Sequence, residues 1–248
     1  MQISKYNASG NDFIIFHTFR EVDRSELAKR LCNRQSGIGA DGLIVLLPSS
    51  EYDFKWQFYN SDGSDAAMCG NGTRACAHYA YKNSLANRDM SFLTQAGVIS
   101  SYVEEDVVET LLSDPKKLGD KFMQDGRNWY FYDTGVPHLI TFVDDISEFD
   151  KELAAKMRYA YNANVNFASI KDDGLFVRTY ERGVEDETLA CGTGMAACFF
   201  SAYENGEISS YTKVYPTSKE ELELRIENGK LYFKGKVSKV FDTSIDAD

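Results

Sequence analysis

An α/β protein built from two similar halves is the architecture this sequence predicts. Two near-identical motifs carry that expectation: C-G-N-G-T-R-A-C from Cys69 to Cys76, and C-G-T-G-M-A-A-C from Cys191 to Cys198. Both fit C-G-x-G-x-x-A-C, and they start 122 residues apart in a chain of 248. Other landmarks recur in the same order, with Gly135 lying 125 residues after Gly10 and Tyr180 lying 121 after Tyr59. Three offsets this similar point to duplication, and two domains of roughly 120 residues suit the length. Pairing such halves face to face would set Cys69 and Cys191 on opposite sides of one cleft.

The elements follow in chain order. A first strand turns at Gly10–Asp12 into the apolar strand Phe13–Phe16. Asp23–Asn33 has helix character, with Ser25 as its expected cap and Leu27 and Leu31 on one face. The glycine-rich corner Gly37–Gly42 opens the strand Leu43–Leu47, and the alternating aromatic run Phe54–Tyr59 is another strand ending in the turn Asn60–Ser64. The alanine-rich segment after Gly70, Thr73 to Tyr81, reads as a helix. Short strands follow at Met90–Thr94, Val98–Val103 and Val107–Leu112. Asp114–Lys117, broken by Pro115, is the expected connector between domains. The second half repeats the order: strands at Trp129–Asp133, Gly135–Phe142, Asn164–Ile170 and Leu175–Tyr180, with an amphipathic helix at Phe149–Tyr159. Leu222–Ile226, Leu231–Phe233 and Val237–Phe241 close the chain as strands. The expected domains are 1–112 with 239–248, carrying Cys69, and 113–238, carrying Cys191.

Composition narrows the function. Hydrophobic content of 43% with 26% charged residues suits a folded globular chain. A formal net charge of −11 argues against nucleic acid and anionic membrane as partners, but does not exclude an acidic substrate, because the field at a site is local. No apolar run approaches the roughly 18 residues of a membrane span, and the N-terminus reads as a strand, so a cytoplasmic location is expected. The five cysteines form no C-x-x-C, and the three histidines are His17, His78 and His138. Neither a disulfide framework nor a metal site is expected.

In each motif the cysteine leaves a turn and C-G-x-G opens a helix. The first N–H groups of a helix lack internal partners, and the helix dipole favours an anion there, a carboxylate above all. The same field favours thiolate over thiol at Cys69 and Cys191. Facing each other, two such units would make a two-base device: one thiolate removes a proton from an sp3 carbon while the other cysteine's thiol protonates the opposite face. That chemistry is racemisation or epimerisation next to a carboxylate. The plainer reading, two buried cysteines inherited through duplication, leaves the shared glycines unexplained. Cys76 and Cys198, two turns inside their helices, read as core, as does Cys32.

These residues resemble the diaminopimelate epimerase family over nearly the whole chain. The blocks are K-Y-N-A-S-G-N-D-F, N-R-Q-S-G-I-G-A-D-G, F-Y-N-S-D-G-S-D-A-A-M-C-G-N-G-T-R-A-C, P-H, N-V-N-F and Y-E-R-G followed by E-T-L-A-C-G-T-G. The resemblance implies two pseudo-symmetric domains, each a curved mixed sheet or barrel around a central helix, with the last strand returning to the first domain. It implies a cofactor-independent epimerase of LL- and meso-diaminopimelate, acting as a homodimer in lysine and peptidoglycan precursor synthesis. Cys69 and Cys191 would be the acid/base thiols, tuned by His138 and Glu181. Gly70–Asn71 and Gly192–Thr193 would bind the reacting carboxylate. Asn11 and Glu181 would hold substrate near the reacting carbon, and Asn60, Asn164 and Arg182 would recognise the distal end.

Three positions depart from the family pattern. Val136 replaces asparagine in G-N-P-H, Gly42 stands where some relatives carry glutamine, and E-R-G-V-E-D-E-T is one residue longer than E-R-G-x-G-E-T. A proline- or hydroxyproline-type racemase is the nearest alternative. A dithiol redox protein and a non-catalytic amino-acid-binding module are others.

Overall fold

The computed structural model describes residues 1–246, and Ala247 and Asp248, expected with the first half, lie outside the described residues. The first strands and helices are β1 (Gln2–Ala8), β2 (Asn11–His17), α1 (Ser25–Cys32), β3 (Gly42–Leu47), β4 (Phe54–Asn60), α2 (Gly70–Lys82), β5 (Asp89–Thr94), β6 (Gly97–Glu104) and β7 (Val107–Leu111). Then come β8 (Lys116–Gln124), β9 (Arg127–Asp133), β10 (Pro137–Phe142), α3 (Lys151–Tyr161), β11 (Asn164–Lys171), β12 (Gly174–Glu181), β13 (Asp186–Thr188) and α4 (Gly192–Glu204). The chain ends with β14 (Tyr211–Tyr215), β15 (Leu222–Glu227), β16 (Lys230–Lys236) and β17 (Ser238–Ser244). Residues Met1–Thr110 and Gly235 onward form one compact unit, and Leu111–Lys234 form another.

The first unit is a mixed sheet in the order β17, β1, β2, β3, β4, β5, β6, β7. Only the β2–β3 and β4–β5 pairs are parallel. Its central strands are apolar on both faces because both are covered. Phe13, Ile15, Ile44 and Leu46 pack towards Ala75, Cys76 and Tyr79 of α2. The alternate residues Ile14, Phe16, Leu43 and Val45 pack with Ala28, Leu31 and Cys32 of α1. Helix α2 is buried at every position from Gly70 to Ala80, so it is the core of its unit.

The second unit repeats this plan strand for strand: β8, β9, β10, β11, β12, β14, β15, β16, with β10–β11 and β12–β14 parallel and the other pairs antiparallel. Helix α3 joins the first parallel pair as α1 does, and α4 joins the second as α2 does. Short β13 is an addition, paired with β12. Trp129, Leu139, Ala154, Met157, Val165 and Phe167 make the core beneath α3. Duplication is therefore visible in topology as well as in the cysteine motifs.

Several expectations need correction. Ser25 does not cap α1: it is the first helical residue, and the Asp23 carboxylate accepts its N–H at 2.9 Å. Lys116 and Lys117, expected in a connector, open strand β8 opposite Asp133 and Tyr132. That strand is exposed along most of its length and so carries no apolar alternation to betray it. Strands β13 and β14 were also silent in the sequence. Helix α3 starts at Lys151 rather than Phe149, because Asp150 caps it by accepting from Leu153 N–H at 2.9 Å.

Gly42 has a packing reason. A Cβ there would lie 2.5 Å from the Phe58 ring and 2.9 Å from the Tyr59 carbonyl oxygen. Gly42→Gln is expected to destabilise the chain by about 1–3 kcal/mol through overpacking. A lowered denaturant midpoint at unchanged slope would show it; an unaltered midpoint would refute it.

Candidate active site

Cys69 and Cys191 occupy the same place in their units, the last extended residue before the buried helix. Cys69 has φ −149° and ψ 116°, and Cys191 has φ −119° and ψ 106°. Their carbonyls accept the first intrahelical bonds, from Thr73 at 2.8 Å and Met195 at 2.9 Å. The N–H groups of residues 70–72 and 192–194 therefore have no acceptor within their helices. Gly72 N–H approaches Cys69 Sγ at 3.4 Å, while Cys191 Sγ lies 3.6 Å from Thr193 Oγ1. Cys69 is half-buried and Cys191 is 8% exposed.

In the first unit, Asn71 and Asn11 are brought together: Asn71 Nδ2 donates to Asn11 Oδ1 at 2.6 Å. Behind them Arg74, fully buried, donates to Asn71 Oδ1 at 2.7 Å and to Ser9 Oγ at 2.6 Å. On the other side Asn11 Nδ2 donates to Asp41 at 3.1 Å. Asp41 and Asp12 share Arg34, which makes a two-pronged contact to Asp12 at 2.8 and 3.1 Å. Lys5 bonds Asp12 at 2.8 Å and the Gly39 carbonyl. Partial burial works to raise the Asp12 carboxyl, but hydrogen bonds from Arg34 and Lys5 hold it down at about 2. Asn60 is exposed and donates to Ser64 Oγ at 3.0 Å.

In the second unit, His138 on β10 faces Asn164 on β11 across a parallel register. Its Nε2 lies 2.9 Å from Thr193 Oγ1 and 3.5 Å from Asn164 Nδ2. Its Nδ1 lies 3.1 Å from Asn166 Nδ2. Complete burial pushes the imidazole down to about 3; the Asn166 bond opposes this and nearby Arg182 adds to it. Asn164 Oδ1 accepts the Arg182 N–H at 2.7 Å, and the Arg182 guanidinium donates to the Asn162 carbonyl at 3.0 Å. Glu181 ends β12, and its carbonyl accepts from Glu185 N–H at 2.8 Å.

The lengthened loop before Cys191 is held by the residue that departs from the family glycine. Glu185 sits at φ +59°, in the left-handed region glycine favours. Its carboxylate accepts from Gly183 N–H at 3.0 Å and Arg158 at 2.6 Å, and its carbonyl accepts from the Tyr180 hydroxyl at 2.7 Å.

Arg74, Asp41, Asn166 and Thr179 escaped the sequence reading. Only Asn166 carried a usable signal, since N-V-N-F puts Asn164 and Asn166 on one face of a strand. Cys76 and Cys198 are fully buried, and burial raises both thiols well above their ordinary values, which suits the core role expected of them. Cys32 is likewise buried, its thiol raised to about 12 by burial. Among the described residues, no three His, Cys, Asp or Glu side chains are grouped to hold a metal ion, and no helix is long and apolar enough to cross a membrane.

His138 gives a pH signature. In the unfolded chain it takes a proton near its ordinary 6.5, and in the folded chain only near 3. Between those values the unfolded state binds the extra proton, so stability is complete above the window and falls as pH drops through it. The slope from this residue is at most about 1.4 kcal/mol per pH unit. His138→Gln is expected to show a shallower acid loss in denaturant titrations across that window. Parallel slopes for the two proteins would contradict a buried neutral imidazole.

Comparison with known proteins supplies the family. A family model described as diaminopimelate epimerase matches residues 3–117 and 130–240. The diaminopimelate epimerase of a Nitratiruptor species is 62% identical over 244 residues, covering 98% of each chain. That of Campylobacter lari is 54% identical over 243 residues, again covering 98% of each. A solved structure described as a predicted epimerase from Pseudomonas aeruginosa has a TM-score of 0.76 at 12% identity, covering 100% of this chain and 99% of that one, a likeness of fold alone. With matched blocks in both halves and relatives more than half identical along their full length, this chain belongs to the diaminopimelate epimerase family.

Proposed function

We infer that the chain is a diaminopimelate epimerase, an isomerase that interconverts the LL and meso forms by inverting one α-carbon without a cofactor. The observation that carries the mechanism is the duplicated helix start: a cysteine in extended backbone, then glycine-spaced N–H groups with no acceptor in their helix, at equivalent places in both units. Gly70 adds to this. Its φ is not positive and a Cβ there would meet no atom within 4 Å, so neither backbone conformation nor packing accounts for the glycine. Close approach of a ligand to that backbone does.

In this reading the reacting carboxylate is held by the N–H groups of Gly70–Asn71 and Gly192–Thr193. The negative charge that builds on its oxygens during deprotonation meets donors already in place. One cysteine, as thiolate, takes the α-hydrogen: the C–H bond breaks and an S–H bond forms. The other, as thiol, gives its proton to the opposite face, so a thiolate is regenerated and the configuration is inverted. Reversal exchanges the two roles. Asn11, fixed by Asn71 and Asp41, holds substrate near that carbon with Glu181. Asn60, Asn164 and Arg182 read the second amino-acid end, Arg182 by its fork on a carboxylate. His138 and Glu181 tune the thiols. A homodimer rests on the family resemblance, and a cytoplasmic location on the sequence reading alone.

Deuterium wash-in from solvent into diaminopimelate tests this. Wild type is expected to exchange the α-hydrogen while interconverting the isomers. Cys69→Ser and Cys191→Ser are each expected to lose about 10²–10⁴ in kcat/KM for epimerisation. Turnover of proline without diaminopimelate, or a serine variant with intact epimerisation, would overturn the reading.

A further inference from the structure

Around Cys191 the side chains form a chain of donors whose direction is settled by its far end. The Leu139 carbonyl can only accept, so the atom of Asn166 that faces it at 2.9 Å is the amide nitrogen. Asn166 Oδ1 is then turned to Thr179, whose hydroxyl donates to it at 2.8 Å. The second amide hydrogen of Asn166 is directed at His138 Nδ1, 3.1 Å away. A neutral imidazole that accepts at Nδ1 carries its hydrogen on Nε2.

Two atoms stand near Nε2. Asn164 turns its amide nitrogen that way, because its oxygen accepts the Arg182 N–H. Two donors facing each other at 3.5 Å make no bond. Thr193 Oγ1 at 2.9 Å is the acceptor. Having accepted from His138, the Thr193 hydroxyl keeps its own hydrogen to give, and Cys191 Sγ lies 3.6 Å away.

The geometry points to Asn166 and Thr193 as positioning residues for Cys191: Asn166 sets the tautomer of His138, and Thr193 delivers the resulting hydrogen bond to Sγ. That bond favours the thiolate over the thiol. Cys69 has a different arrangement, with the Gly72 N–H near its sulfur and the Asn71 side chain committed to Asn11 and Arg74. The two thiols are therefore governed by different groups. Gly194 supports the same chain, since a Cβ there would lie 2.4 Å from Asn166 Oδ1.

This inference rests on Cys191 being an acid/base thiol, but its test needs no turnover, so its failure is distinguishable from failure of the epimerase reading. The full chain, without substrate and near neutral pH, is treated with iodoacetamide, and each cysteine is followed by peptide-resolved mass spectrometry. Thr193→Val, nearly the same shape without the hydroxyl, is expected to slow alkylation of Cys191 by about three- to tenfold, the scale of one lost hydrogen bond. The Cys69 rate in the same molecules is expected to hold. Thr193→Ser is expected to restore the Cys191 rate. Asn166→Asp, which presents an acceptor to Nδ1 and draws the imidazole hydrogen there, is expected to slow Cys191 as Thr193→Val does. The inference is overturned by an unchanged Cys191 rate in Thr193→Val or Asn166→Asp, by a serine variant as slow as valine, or by equal slowing of both cysteines.

Discussion

Each unit wraps its sheet around a helix whose first turn is withdrawn from water, wholly in α2 and partly in α4, and this constraint shapes what surrounds it. A buried N–H left without an acceptor costs about 1–3 kcal/mol, and a helix start presents several at once. In α2 the positions Gly70, Asn71 and Gly72 are all buried, and the sulfur of Cys69 meets the need of Gly72. The first N–H groups of α2 and α4 have no acceptor within their own helices, and an anion bound there would meet that need. Glycine at these starts leaves the backbone open to a ligand, and cysteine immediately before them puts an ionisable group beside the same field.

The duplication is close in topology and loose in side chains. Strand order and pairing sense match throughout, yet the residue after the first glycine of each motif has been put to different use. Asn71 is locked between Arg74 and Asn11, and through Asn11 to the Asp41–Arg34–Asp12 cluster. Thr193 instead meets His138, a neutral imidazole held by Asn166 on the neighbouring strand. In the proposed reaction, run in both directions, the two thiols exchange roles. That exchange does not ask their surroundings to be the same, and here one is ordered by an ionic network and the other by an uncharged one.

Legibility in the sequence followed burial. The apolar strands β2 and β3, the alternating β4 and the two cysteine-led helices could be read because hydrophobic periodicity or a repeated motif marked them. Strand β8 could not be read, since its side chains are mostly exposed and its ladder is a backbone matter. At the candidate site, the cysteines, glycines, His138 and Asn11 were picked out as candidates through pattern and resemblance. The supporting residues were not, because Arg74, Asp41 and Thr179 act through partners distant in sequence that only folding brings near. Glu185 illustrates the same limit: the sequence showed an extra acidic residue, whereas the fold shows a left-handed backbone position stabilised by Arg158 and Gly183.

Strand β17 runs beside β1, setting Ser244 opposite Gln2, while β8, which follows the first set of strands in the chain, lies beside β9. Each repeat thus hands its final strand to the other's sheet. As the chain leaves the ribosome, the first unit cannot be finished by the first repeat alone: β1 keeps an open row of backbone donors and acceptors until β17 has been made. The second unit, holding β8 from the outset, has all its strands sooner. The half that is translated first is therefore the half that is completed last.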